Sequence, residues 1–229
     1  MVALTLGSYP LGLALGVPAL LPFLNTAPAY VALVRLLARG RPRDAVVLML
    51  TWAAALAAGS TVSFALWPSP VDALILNGPA YRDEMFAWIR TGAGRESELL
   101  AFLPQHLVHL AAFVVLCLAT ASALSITMGA VLMNYMGFYV ASLSRAGLPL
   151  GHVLLFGWQP WALCRVAAFC ILGVVLAEPL LARLQRRPAA GWSPLRPYVL
   201  TAAALILADW VLKAVLAPVW GGVLRAELP

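Results

Sequence analysis

Five ionisable side chains sit in stretches that are otherwise almost wholly apolar: His106 and His109, Arg165, and Asp209 with Lys213. An ionisable group inside a membrane helix is expensive to desolvate, so each is a functional hypothesis until a partner explains it. His106 and His109 are three apart and share a helix face; Asp209 and Lys213 are four apart, close enough to pair. Together with Asn134, these groups could bind a solute or an ion or, through the histidines, move a proton. A haem would need two histidines on facing helices, and the pairing on offer is His106 or His109 with His152. Met128, Met133 and Met136 could present thioethers to copper(I).

Each group also has a structural reading. Asp209 and Lys213 can form an intrahelical pair, or Lys213 can snorkel to the headgroups. Arg165 can meet a headgroup phosphate, the histidines can hydrogen-bond near the interface, and the methionines can pack. The sequence implies no cofactor, and His106, His109 and His152 give only a weak metal signal.

The elements that would position these residues follow from composition. Of 229 residues, 63% are hydrophobic and 10% charged, against about 25% charged in an average soluble domain. A soluble globular protein is excluded. Residues 1–34, 45–71 and 99–144 carry no Asp, Glu, Lys or Arg, and a helix needs about 20 apolar residues to cross the hydrocarbon core. An all-α polytopic membrane protein of about six spans is expected, forming one domain over residues 1–229. The spans fall near 9–34, 45–67, 99–121, 124–144, 161–182 and 198–219. The first, interrupted by Pro10, Pro18, Pro22 and Pro28, should be kinked, because a proline inside a helix removes a backbone hydrogen bond.

Two segments are not spans. In 79–91, Tyr81, Met85, Trp88 and Ile89 recur at helical spacing among charged residues, the pattern of a short amphipathic helix in the interface. The stretch 147–160, too broken for a span and too apolar for a free loop, reads as interfacial or re-entrant. The polar excursion as a whole runs from Pro68 to Glu98.

The net charge of +6 reflects basic loops that set helix orientation rather than nucleic-acid binding. The loops at Arg35 to Arg43 and Arg183 to Arg196 are separated by four crossings and share a side. The positive-inside rule makes that side cytoplasmic, with both termini and the excursion outside, in a bacterial cytoplasmic membrane. Trp67, Trp88, Trp158, Trp161 and Trp220 would then lie near the outer interface. Cys117, Cys164 and Cys170 form no CxxC pair, so neither a disulfide framework nor a thiolate zinc site is indicated. No basic segment precedes the first apolar run, so a cleaved signal peptide is not expected.

No HExxH, GxSxG, P-loop or post-strand GxGxxG occurs. The leading reading is a transporter or channel, or its membrane component, with a polar cavity in the outer half of the bilayer. The alternatives are a non-catalytic subunit of a larger membrane complex, partnered by other membrane subunits, and an intramembrane enzyme or redox protein built on His106 and His109.

Overall fold

The structure is a computed structural model that describes residues 1–67, 71–189 and 191–228, the side chain of Leu150 apart. Pro68, which opens the polar excursion, and Ala190, in the second basic loop, lie outside the described residues. Nine α-helices are described: α1 Val2–Leu15, α2 Leu20–Ala38, α3 Pro42–Leu66, α4 Gly78–Thr91, α5 Leu99–Thr120, α6 Ala123–Arg145, α7 Leu150–Phe156, α8 Pro160–Leu184 and α9 Trp192–Glu227. A single 3-10 turn, Asp72–Leu74, precedes α4. Six helices, α2, α3, α5, α6, α8 and α9, are long and apolar enough to cross a membrane. The chain is an all-α polytopic membrane protein.

The first apolar run is not one kinked span. It is a helical hairpin, α1 folding back on α2. Gly16 ends α1 in the left-handed region (φ 69°) and returns its N–H to the Leu13 carbonyl. Pro18 lies in the connection, whereas Pro10 and Pro28 are absorbed inside the two helices. Asn25 Nδ2 donates to Ser8 Oγ at 2.7 Å, and a Cβ on Gly12 would strike Leu21, so position falls along one helix as it rises along the other. At 14 residues α1 is about 21 Å long, short of the hydrocarbon thickness of about 30 Å.

The sequence places the reversal between the third and fourth spans near Thr120 to Gly129; it occurs at Ala121 and Ser122. Both adopt positive φ, 48° and 67°, which costs a residue with a Cβ. Ser122 Oγ donates to the Gly173 carbonyl at 2.6 Å, tying the turn to α8. α3 and α6 lie side by side and run parallel: a Cβ on Gly137 would run into Ser60, and eight residues on Arg145 bonds to the Phe64 carbonyl.

The 147–160 segment folds back along α6. Gly157 packs so closely on Val140 that a Cβ there would overlap it, and Val140 lies five residues before the end of α6. α8 therefore starts level with the last turns of α6 rather than beyond them, with Pro160 in its first turn. α4 does not lie on the membrane surface through its apolar face. Met85, Trp88 and Ile89 are buried in a cluster with Met136, Tyr139 and Val140 of α6 and Ala217 and Leu224 of α9. Trp88 and Trp161 are likewise buried and belong to this packing, not to an interfacial belt.

α9 has 36 residues, about 54 Å, and its last turns knit the α4 end of the molecule together. Trp220 Nε1 donates to the Phe156 carbonyl, Arg225 Nε to the Ile89 carbonyl at the end of α4, and Glu227 pairs with His152 of α7 at 2.8 Å. At the opposite, basic end Arg187 forms a two-pronged pair with Glu178 at 2.6 and 2.8 Å, which raises the guanidinium further above its ordinary range.

Candidate functional site

The ionisable residues of three separate spans converge. Asp209 of α9 is fully buried and accepts both prongs of Arg165 from α8, Nε at 3.0 Å and Nη2 at 2.9 Å. His106 of α5 brings Nδ1 to 3.5 Å from the same carboxylate. Lys213 does not pair with Asp209. One turn further along α9, its ammonium lies 3.0 Å from Glu96 and 3.4 Å from the centroid of Phe102. The Arg165 guanidinium covers the same ring at 4.9 Å, so Phe102 is held between two cations, each drawn to the π-face. Intrahelical pairing loses because Asp209 has a bidentate partner across the helix interface and Lys213 has a carboxylate within its longer reach.

Depth follows from the packing of α8 on α3. Cys170 Sγ contacts the Met49 carbonyl. Arg165 lies five residues from Cys170 toward the α4 end, about 7.5 Å, which sets it level with the middle of the 25-residue α3. The ion cluster is thus deeper than a position one turn into α8 suggests, because α8 itself begins inside the fold.

Beside the cluster lies a cavity of about 290 Å³ enclosed by α3, α5, α6 and α8 and covered by α4 and the 92–98 loop. His106, His109 and Arg165 line it. The covering loop is held by four ties: Arg95 to Gln105 at 2.7 Å and to Glu84 at 3.6 Å, Glu96 to Lys213, and Ser97 from Trp88 at 2.7 Å. Tyr81 of α4 also faces the cavity; burial, reinforced by Glu96, pushes its phenol well above the ordinary range, so it is a neutral donor there.

Two of the sequence candidates are elsewhere. Asn134 belongs to a neutral hydrogen-bond chain among α1, α2, α3 and α6. Tyr9 Oη donates to Asn134 Oδ1 at 2.8 Å, Asn134 Nδ2 to Asn25 Oδ1 at 2.8 Å, and Asn25 Nδ2 to Ser8, while Trp52 Nε1 donates to the Asn25 carbonyl at 3.0 Å. His152 is paired with Glu227 and is not among the cavity residues. Among the described residues no group of three or more His, Cys, Asp or Glu side chains is placed to hold a metal ion. Met133 and Met136 line the cavity, whereas Met128 packs beside Phe113 and Phe169.

Glu96, Phe102 and Tyr81 were not among the sequence candidates. Glu96 reads as a loop acid, one of five acids between Pro68 and Glu98, and no spacing in the sequence marks it as the partner of Lys213. Comparison with family models, with curated proteins and with solved structures returns no match.

Proposed function

We propose that this chain is a transporter or channel, or the membrane component of one, whose solute occupies the cavity among α3, α5, α6 and α8. The observation that carries the reading is the buried charge cluster on the cavity wall. Two cations and two carboxylates meet inside the helix bundle, together with a histidine whose Nε2 has no hydrogen-bond partner. A cluster needed only to hold helices together would be expected to satisfy its own atoms.

The positive-inside assignment makes the α4 end the outer one, so the solute enters beneath α4 and the 92–98 loop. Toward the basic side the cavity ends at Met49, Phe113 and Ile126, a constriction that must open for passage. Arg165 and Glu96 supply the charges that face the solute, Asp209 and Lys213 hold them in place, and His106 and His109 offer ring nitrogens for hydrogen bonding.

The test is accessibility from the two sides. Leu132→Cys, in a chain with Cys117, Cys164 and Cys170 replaced by Ala, is exposed in right-side-out and inverted vesicles to an impermeant thiol reagent. Labelling from both faces, reduced at least tenfold from either face by Arg165→Gln, is the expected result. Labelling from one face alone at all times overturns passage through this cavity.

A further inference from the structure

The cavity is polar at one end and apolar at the other, and the division follows its depth. Toward α4 its lining includes Glu84, Arg95, Glu96, Gln105, His106 and Arg165. His109 is the last polar side chain that α5 contributes to the lining; one turn further in stands Phe113, among Met49, Ile126, Leu132, Met133 and Phe169. The polar groups of the deep residues are already spent. The Trp52 indole donates to Asn25 and Cys170 Sγ to Met49. A chain of waters would find few partners there, and an apolar void of this kind stays dry or takes an apolar guest.

The polar end has no net sign. Among the lining residues Arg95 and Arg165 are matched by Glu84 and Glu96, two cations against two anions. Arg165 is already paired with Asp209 and Glu96 with Lys213, while Arg95 and Glu84 pair at the half-exposed mouth, so a head of one sign would add an unbalanced charge beside buried ion pairs. A head carrying both charges can meet each in turn. The volume, about 290 Å³, is at the lower limit of small-molecule pockets and leaves room for one short chain.

We infer that the occupant is a single-chain zwitterionic amphiphile, its doubly charged head between the Arg165 and Glu96 side chains and its tail among Phe113, Ile126, Leu132 and Met133. This rests on the cavity being the solute site and adds the class of solute. Gly129 gives a clean handle on the tail. It lines the cavity, and a Cβ there meets nothing within 4 Å, so the side chain of Gly129→Leu starts in open space and takes up room at the apolar end.

The experiment is native mass spectrometry of the full chain purified in a maltoside detergent. The four probes are dodecylphosphocholine, dodecyl phosphate, glycerophosphocholine and didodecanoyl phosphatidylcholine, and size-exclusion elution confirms that each variant is folded. One dodecylphosphocholine is expected per chain, retained at least tenfold over the other three probes and reduced at least tenfold by Gly129→Leu and by Glu96→Gln. Equal retention of dodecyl phosphate overturns the zwitterionic head, and equal retention of the two-chain lipid overturns the single chain. Insensitivity to Gly129→Leu overturns the placement of the tail. Glycerophosphocholine bound as well as dodecylphosphocholine overturns the amphiphile while leaving a solute cavity. The expected binding combined with one-sided thiol labelling supports the ligand class and removes passage.

Discussion

Two buried polar networks cross the interior of this protein, and they are built on opposite terms. The chain Ser8, Asn25, Asn134, Tyr9 and Trp52 contains no formal charge, and each of these side chains meets another of the set, or its backbone, within 2.7 to 3.0 Å. The cluster of Arg165, Asp209, His106, Lys213 and Glu96 is charged, borders a cavity, and leaves His106 Nε2 and, beside it, Trp210 Nε1 without a partner. In a medium that offers no water, a closed neutral chain is a fastener: it tells α1, α2, α3 and α6 where to sit. An open charged one costs more than it returns to the fold alone, which is why it is the place to look for a ligand.

The comparison can be broken most directly at Asp209. Asp209→Ala strands the Arg165 guanidinium beside a desolvated histidine, and removing one partner of a buried ion pair costs about 3–5 kcal/mol. Thermal unfolding in detergent should show it, and Arg165→Gln in the same chain should restore part of the loss. A single substitution as mild as a surface pair would mean the cluster is solvated after all.

Next in size is Lys213→Met, which keeps an unbranched side chain but removes the ammonium from Phe102 and Glu96. About 2 kcal/mol is expected, felt chiefly as faster hydrogen exchange in the 92–98 loop. The neutral network should respond far less. In a double-mutant cycle Asn25→Ala and Asn134→Ala should couple by about 0.6 kcal/mol, the average for hydrogen bonds between membrane helices; coupling as large as at Asp209 would erase the distinction. Smallest of all, Arg225→Ala removes a cation from the C-terminus of α4 at a cost of about 0.5 kcal/mol. It should loosen the last turn of α4 in hydrogen exchange and leave both networks untouched.

Much of this was legible in the sequence. Long charge-free runs announce spans because the bilayer core excludes charge, and His106, Arg165, Asp209 and Lys213 stand out for the same reason, whereas Glu96 is lost among the other acids of its loop. Their pairing was not legible. Asp209 and Lys213 look like partners at i, i+4, yet each finds a better one across a helix interface, 44 residues away in the case of Arg165. The α1 and α2 hairpin hid for a related cause. Four prolines suggest a kink, but only the Gly16 to Ala19 stretch, where glycine can take positive φ, reverses the chain. Ser8, Tyr9 and Asn25 are ordinary residues in an apolar run, and nothing in their spacing shows that they meet Asn134.

Lys213 is the only lysine in the chain, and its side chain is 1% exposed. An amine-reactive reagent therefore meets, apart from the amino terminus, one target, and that target is shut behind Phe102 and Glu96. The acylation rate of a single peptide becomes a clock for the opening of the Glu96 pair, read without adding a label or changing a residue. A ligand that closes the loop slows the clock, and one that pries it open speeds it.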